Sequence, residues 1–286
     1  MLNLGLIGDI QLLEPFIQKA HKRQEIHITG KSSVGTQPGN FRLSAPEFNR
    51  IELAERSDAL LINRFSLLPF QLLCDMVKKS KHFFATSYPR LTVDECNHLS
   101  KLAAEAKTVV QIANPLYYSP AVQWLNANIK QPALIEVSFF KDEPPTNDTL
   151  VQLLLMLKTA TGLNPRKTSA TTFHSTPADS VIHNIQLEFG NGTLVTINYG
   201  KMSRHNAFKI KTYAGDQFTR FDLVRNQYSC NNSPLELSAM KKINETDDFL
   251  QAVLQNQQST TGIDDYSSVI QTIQKIGSKL NPFSGN

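Results

Sequence analysis

The chain has 286 residues, of which 41% are hydrophobic and 19% charged, and its formal net charge is +4. This composition is typical of a globular protein and excludes an intrinsically disordered one, and the length allows two ordinary domains. Lysine and arginine are scattered rather than clustered, so we expect no nucleic acid partner. No signal peptide, membrane-spanning stretch or C-x-x-C pair is evident in the sequence. These features predict a cytoplasmic protein without a membrane segment.

The first 113 residues alternate short apolar strands with helical segments. The letters T-V-D-E from Thr92 to Glu95 form a capping box and predict a helix start. Strands separated by helices indicate a doubly wound parallel sheet, so we predict an α/β domain of the Rossmann type. The predicted strands are residues 4–7, 25–29, 59–62, 82–85 and 109–113, and the predicted helical segments are residues 16–23, 53–56, 67–79 and those after Thr92.

The second half of the chain has a different pattern. Two strands flank the turn Gly190-Asn191-Gly192 and alternate as a half-buried antiparallel pair does. We therefore predict a C-terminal α+β domain with a largely antiparallel sheet, and divide the chain into residues 1–116 and 117–286. The predicted strands are residues 133–140, 181–189, 194–199, 208–213 and 219–223, and the predicted helices follow Pro120 and cover residues 149–161, 247–255 and 266–276.

Six stretches along the chain resemble one enzyme family in their order and spacing. They are "SDALLINRF", "KHFFATSYPRLTVDECNHLSKLAAEA", "VVQIANPLYYSPAVQWL", "LLLMLKTATG", "EFGNGTLVTINY" and "FLQAVLQ…DDYSSVIQTIQKI". They are similar to stretches of the glucose–fructose oxidoreductase / inositol dehydrogenase family (Gfo/Idh/MocA). The resemblance implies an NAD(P)-dependent oxidoreductase that acts on a sugar or polyol and often forms oligomers.

The start of the chain keeps only the first glycine of the dinucleotide fingerprint G-x-G-x-x-G. Gly8 follows the first predicted strand, but Ile10 and Leu13 stand at the second and third glycine positions. Those glycines let the backbone approach the pyrophosphate and let helix and strand pack closely. Asp9 and Glu14 add negative charge near a helix N-terminus that ought to attract phosphate. Two interpretations stay open: a displaced loop still binds a pyrophosphate, or the strand–turn–helix serves folding alone.

The end of the second predicted strand lacks the acid that would bind the ribose 2′-hydroxyl of NAD. The residues there are Gly30, Lys31, Ser32 and Ser33. A lysine with hydroxyl groups suits a 2′-phosphate better, so the sequence favours NADP over NAD if either binds.

Three further residues stand where the resembling family lines its cofactor. They follow the third predicted strand and are Asn63, Arg64 and Phe65. Arg64 is a candidate for holding an anionic ligand, and the alternative is an ordinary surface arginine.

The catalytic groups that the resemblance implies are replaced in this chain. The family's lysine falls on Tyr88, or on Ser87 if the alignment slips by one residue. Its acid and histidine fall on Asp148 and Gln152, and a commonly acidic position is Leu155. A phenol can donate a proton, but glutamine does not titrate, so the proton relay lacks its central member. We expect Tyr88 and Asp148 to form the acid/base pair if catalysis survives, and we find no metal-ligand motif.

Two functions from different classes follow. The first is an NAD(P)-dependent oxidoreductase with weak or altered catalysis on a sugar- or polyol-like substrate. The second is a non-catalytic relative, a pseudoenzyme, that binds a small ligand or a protein partner in the old cleft. We also expect a homodimer or higher homo-oligomer, formed through a sheet face of the second domain that exposes Ile197, Tyr199 or their neighbours.

Overall fold

The computed structural model describes residues 1–35, 41–175, 180–203, 205–237 and 244–280. The chain divides into two compact units. The first consists of Met1–Asn114 and Ile243–Ser267, and the second of Pro115–Lys242 and Ser268–Asn286. Residues 243–267 therefore belong to the first unit, although the sequence analysis assigned them to the second domain. The helix that they contain packs against the first helix of the chain, a long-range contact that sequence order does not reveal.

The elements of both units alternate between strands and helices over the first half and are mostly strands over the second. They are, in chain order, β1 (Leu2–Gly8), α1 (Ile10–Ala20), β2 (Ile26–Ser33), α2 (Arg50–Arg56), β3 (Ala59–Ile62), α3 (Phe70–Lys78), β4 (His82–Ala85), α4 (Val93–Ala106), β5 (Val110–Ile112), α5 (Pro120–Asn128), β6 (Leu134–Lys141), α6 (Asn147–Thr161), β7 (Pro165–Ser175), β8 (Ser180–Phe189), β9 (Leu194–Lys201), β10 (Ala207–Ala214), β11 (Gln217–Asp222), β12 (Gln227–Cys230), β13 (Ser233–Pro234), α7 (Glu245–Gln255) and α8 (Ile263–Leu280).

The first unit is built on a five-stranded parallel sheet in the order β2-β1-β3-β4-β5. This order confirms the predicted doubly wound, Rossmann-like class. β1 and β3 read as apolar runs because they are buried on both faces, as central parallel strands are. Fully buried side chains from β1, β3, β4 and α1 form one core, namely Leu4, Leu6, Leu61, Phe84, Leu13 and Ile17.

Helix α1 begins at Ile10, so the predicted start at residue 16 was wrong. The physical reason is a local cap: the Asp9 side chain accepts a hydrogen bond from the backbone N–H of Gln11. Pro15 then lies inside the helix rather than at its start. The predicted capping box of α4 is confirmed, because the side chains of Thr92 and Glu95 each bond the other residue's backbone N–H.

The second unit is built on an eight-stranded sheet in the order β13-β12-β11-β10-β6-β9-β8-β7. β6 and β9 pair in parallel, and the other described pairs in this sheet are antiparallel, which confirms the predicted α+β class. Strand β7 was not predicted from the sequence, because this polar edge strand (PRKTSATTFHS) lacks an apolar alternation.

Helices cover one face of this sheet, and we call the opposite face the outer face. The residues predicted to be exposed on the outer face do not lie there. Ile197 is 0% exposed and Tyr199 8% exposed, so both belong to the buried face, and the prediction that they are exposed was wrong. Along β9, the buried face carries the apolar side chains of Val195, Ile197 and Tyr199. Helices α5 and α6 line a small apolar cavity against β6 and β10. The outer face carries the alternate, mostly polar residues, which are Glu136, Ser138, Gln186, Thr196, Asn198, Lys209 and Lys211. No described helix has the length and apolar character that a membrane span requires.

Candidate functional site

The carboxyl ends of four parallel strands bring Gly8, Asn63, Ser87 and Asn114 to one edge of the first unit. These residues end or closely follow β1, β3, β4 and β5, whose adjacent strands pair in register. In doubly wound α/β folds, ligands bind outside the carboxyl ends of the strands. We therefore take this row, called here the carboxyl edge, as the candidate site.

Asn63 fixes the turn between β1 and α1. Its Nδ2 donates to the carbonyl oxygen of Asp9 at 2.7 Å, and its Oδ1 accepts from the Asp9 N–H at 2.9 Å. Gly8 has a φ of +119°, a backbone conformation that other residues rarely adopt. A Cβ at this position would lie 1.9 Å from Asn63 Oδ1. Gly8 is thus required by the turn itself, so its presence alone is no sign of a cofactor.

The carboxylate of Asp9 occupies the N-terminus of α1. Its Oδ1 accepts from the Gln11 N–H at 3.0 Å, and the residue is only 1% exposed. Its Oδ2 is buried and has no hydrogen-bond partner within the described part of the chain. Helix N-termini attract anions because their first N–H groups are unpaired and the helix dipole is positive there. In this protein the chain supplies that anion itself.

The two residues at the lost glycine positions are held by packing. Leu13 is fully buried in the core beneath α1, and Ile10 is half-buried against the same core. A branched side chain at residue 10 occupies the place where the second glycine would let a pyrophosphate approach the backbone. Moving either side chain out of its packed position would expose apolar surface to water.

The arrangement does not fit the pyrophosphate of a dinucleotide in its usual position. A phosphate oxygen about 4 Å from the Asp9 carboxylate would be repelled by roughly 4 kcal/mol at an effective dielectric constant of 20. The attraction of a helix N-terminus for an anion is about 0.3–1 kcal/mol and reaches about 2 kcal/mol in favourable geometries. The repulsion therefore outweighs the attraction, and of the two interpretations of the fingerprint we favour the one in which the turn serves folding.

The sequence predicted that Lys31 follows the second strand and is available to a 2′-phosphate, and the structure differs from this prediction. The strand runs on to Ser33, so Lys31 lies within it, and the Lys31 ammonium donates to the carbonyl oxygen of Leu43 at 3.1 Å. Glu47 instead provides a carboxylate at the strand end, where it accepts from the Ser33 N–H at 2.5 Å and from its hydroxyl at 2.8 Å. No local sequence signal pointed to Glu47, because it reaches β2 through a bridge between distant segments.

Gly30 and Ser32 have structural surroundings in β2. A Cβ at Gly30 would lie 2.6 Å from the ring of Phe48, so the glycine makes room for that ring. Ser32 is 7% exposed. The structure therefore places Gly30, Lys31 and Ser32 in contacts with the chain itself.

Arg64 and Phe65 point in different directions from the edge. Arg64 is exposed, and its guanidinium and the Asp9 carboxylate both flank Gly35, at 3.8 and 3.9 Å from the position of a Cβ there. Phe65 is buried and its ring packs beside Phe83, with centroids 5.9 Å apart. Arg64 is thus available to an anionic ligand group, whereas Phe65 belongs to the core.

The two candidates for the lysine position are held in different ways. The Ser87 hydroxyl donates to the carbonyl oxygen of Asn63 at 2.5 Å, so it lies on the carboxyl edge. The Tyr88 ring is half-buried and lies parallel to the ring of Tyr266, with centroids 6.2 Å apart. The Tyr266 hydroxyl in turn donates to the carbonyl oxygen of Pro89. Tyr88 is therefore packed into the first unit as part of an aromatic pair.

The other two predicted catalytic residues lie on α6 in the second unit. Asp148 is exposed in the first turn of the helix, and Gln152 follows one turn later, half-buried on the same face. Leu155, at the commonly acidic position, is fully buried in the core. This helix face offers one carboxylate and one amide for hydrogen bonds and no imidazole. Within the described residues, no group of three or more His, Cys, Asp or Glu side chains is placed to hold a metal ion.

Comparisons with known proteins found similar solved structures but no similar sequence among family models or curated proteins. No family model matches the sequence, and no curated protein matches it significantly. UDP-N-acetylglucosamine 3-dehydrogenase GnnA from Acidithiobacillus ferrooxidans is 16% identical, with a TM-score of 0.78 over 99% of this chain and 98% of that chain. A dehydrogenase from Chromobacterium violaceum is 14% identical, with a TM-score of 0.79 over 100% and 97% of the two chains. The chain has the two-domain fold of the Gfo/Idh/MocA dehydrogenases.

A solved structure with a different ligand is also similar to this chain. Biliverdin reductase from Synechocystis, solved with biliverdin and NADP+, is 11% identical, with a TM-score of 0.70 over 98% of this chain and 99% of that chain. Structural neighbours of this protein thus include a UDP-N-acetylglucosamine dehydrogenase and a biliverdin reductase, whose substrates are chemically unrelated. The fold by itself does not name a substrate, because function belongs to the site and not to the scaffold.

Proposed function

We propose that this protein is a ligand-binding member of the dehydrogenase fold that transfers no hydride to or from a nicotinamide cofactor. The observation that carries the proposal is the buried Asp9 carboxylate, which caps α1 where a pyrophosphate would bind. The fixed turn at Gly8 and Asn63 and the packed Ile10 support the same conclusion.

We further propose that the ligand is a small polar molecule of the sugar or polyol type. The carboxyl edge of the first unit presents the exposed guanidinium of Arg64 and the hydroxyl of Ser87. A guanidinium and a hydroxyl form hydrogen bonds with the hydroxyl groups of a sugar without needing a titrating base. The neighbour that acts on UDP-N-acetylglucosamine supports the same ligand class.

The second candidate is an NAD(P)-dependent oxidoreductase with altered catalytic groups. The nicotinamide cofactors in the names of the structural neighbours favour it. For this candidate we propose NAD rather than NADP, contrary to the sequence expectation. The Glu47 carboxylate at the end of β2 would repel a 2′-phosphate, and the Lys31 ammonium is bonded to Leu43.

Titration with NADH and NADPH, followed by fluorescence and calorimetry, separates the two candidates. We expect no binding at millimolar cofactor. Asp9→Asn keeps a good helix cap and removes the charge, so it should bind either cofactor more tightly than the natural protein does. Glu105→Gln, which changes an exposed acid on α4, is the matched control and should not gain affinity. Micromolar binding to the unchanged protein would overturn the proposal and support the oxidoreductase.

The ligand class is tested by thermal shift with a panel of monosaccharides, sugar acids and polyols. We expect at least one of them to raise the melting temperature and Arg64→Ala to reduce that rise. A panel without any stabilising compound would argue against this ligand class while leaving the cofactor result unaffected.

A further inference from the structure

Glu245 contacts Asn114, and these two residues lie next to the points where the chain enters and leaves the first unit. The chain leaves this unit after Asn114 and returns to it just before α7, whose first residue is Glu245. Asn114 also stands at the end of the row of residues that forms the carboxyl edge. A contact between Glu245 and Asn114 therefore holds together the two segments by which the chain leaves and re-enters the first unit. The same contact holds one residue of the candidate site.

The contact is short and buried. Glu245 Oε1 accepts from the backbone N–H of Asn114 at 2.6 Å, and the carbonyl oxygen of Glu245 accepts from Gln111 Nε2 at 2.9 Å. Asn114 Nδ2 donates to Thr261 Oγ1 at 3.1 Å. Glu245 is only 8% exposed, and Gln111 and Asn114 are fully buried. These bonds form a polar cluster that is almost entirely buried.

The electrostatic surroundings favour the neutral form of the carboxyl group. Burial raises the pKa of Glu245 to about 7, and the nearby Asp248 on α7 adds to this effect. The bond from the Asn114 N–H and the charge of Lys19 on α1 act in the opposite direction, but they are weaker. Gln111 Oε1 is buried and has no hydrogen-bond partner within the described residues. A neutral carboxyl group adds a donor to a cluster that is rich in acceptors.

We propose that Glu245 is a pH-dependent clasp and a positioning residue for Asn114: when neutral it holds Asn114 against α7, and when ionised it releases it. The neutral carboxyl keeps the bond from the Asn114 N–H, because its carbonyl oxygen is still an acceptor. The ionised carboxyl regains solvation by opening. The clasp does not depend on which ligand the carboxyl edge binds.

The sign of the effect follows from the direction of the shift. Because the pKa of Glu245 in the closed state is raised above its ordinary value, the closed state binds the proton more tightly than the open state. The clasp is therefore strongest below about pH 4.5, weakens as the pH rises, and levels off above about pH 7.

Amide hydrogen exchange at Asn114, corrected for the intrinsic exchange rate, measures opening of the clasp directly. Between pH 5 and pH 7 we expect the protection factor to fall by roughly fortyfold. The Leu61 amide in the centre of the sheet reports global unfolding and should stay better protected at each pH. Equal protection of Asn114 and Leu61, or protection of Asn114 that does not change with pH, would overturn the clasp.

Two variants test the origin of the pH dependence. Glu245→Gln is neutral at every pH and should give protection at Asn114 that no longer varies with pH. Glu105→Gln, at an exposed position on α4, is the matched control and should behave like the natural protein. If Glu245→Gln does not fold, carbon-13 NMR titration of the Glu245 carboxyl in the natural protein decides the matter. Titration near 4.5 rather than near 7 would overturn the proposal.

Discussion

The side-chain oxygen of Asn63 fills the space that a side chain at Gly8 would need, with only 1.9 Å between Oδ1 and the position of a Cβ. Both partners are fixed, since Asn63 bonds the backbone of Asp9 through both ends of its amide. The turn therefore requires glycine at residue 8 for a reason that does not involve a phosphate.

Replacing Gly8 with alanine should destabilise the protein by about 3 kcal/mol, through backbone strain together with the contact to Asn63. The double variant Gly8→Ala, Asn63→Ala should recover the part that comes from the contact. Gly192→Ala is the matched control, since Gly192 has a φ of +88° but open space around it, and it should lose only about 1 kcal/mol. Urea unfolding of the four proteins measures these differences. Equal losses for Gly8→Ala and Gly192→Ala would show that the contact is unimportant.

The stability of the first unit should decrease in acid through His82. Its Nδ1 accepts from the Val109 N–H at 3.0 Å, which requires the neutral ring, and burial lowers the pKa of His82. Since the folded-state pKa lies below the unfolded value, this stability is present above about pH 6.5 and is lost as the pH falls. Loss of the bond costs about 1 kcal/mol. Thermal melts between pH 8 and pH 5 should show a smaller decrease for His82→Gln, and identical curves would refute this role.

Only one cysteine should react rapidly with a thiol reagent at pH 8. Burial raises the pKa of Cys96 to about 12 and also raises that of Cys74, whereas Cys230 is half-buried on a strand of the second unit. Because the thiolate is the reactive form, the two buried thiols are protected by both access and protonation. Labelling followed by mass spectrometry should locate the fast modification at Cys230, and Cys230→Ser should abolish it. Fast labelling of Cys96 would contradict the buried position.

We still expect self-association through the second unit, now through its outer face. This face is a broad sheet surface with a polar centre, as in the hydrogen bond between Asn184 and Asn198 at 2.7 Å, and it has exposed apolar residues at Leu194 and Phe173. A symmetric pair would cover both apolar positions. Light scattering coupled to gel filtration should give a mass above that of the 32.0 kDa chain, and Thr196→Arg should restore the monomer. A monomeric mass for the unchanged protein at tens of micromolar would end this expectation.

Patterns within short segments predicted most elements of the fold. The buried runs of β3 and β4 and the capping box at Thr92 are local signals, and each was confirmed at its predicted position. The failures have local causes as well. Pro15 suggested that α1 begins after it, whereas the proline lies inside the helix. The polar edge strand β7 has no apolar alternation.

The candidate site was predicted less completely than the fold. Gly8, Asn63 and Ser87 do lie together on the carboxyl edge, because the ends of parallel strands share one edge. Lys31 and Phe65 were proposed for the cofactor, but their side chains contact the chain itself. A residue's position along a strand does not tell whether its side chain has a partner within the protein.

The sequence by itself predicted the two-domain class and showed that Ile10 and Leu13 stand at the second and third glycine positions of the fingerprint, because residue identity and periodicity are properties of the chain. Only the tertiary structure decided that Asn63 closes the space above Gly8, that Glu47 reaches the end of β2, and that Glu245 is buried against Asn114. These contacts join residues far apart in sequence. Their energies depend on burial and on distances of a few ångströms, which arise only when the elements pack.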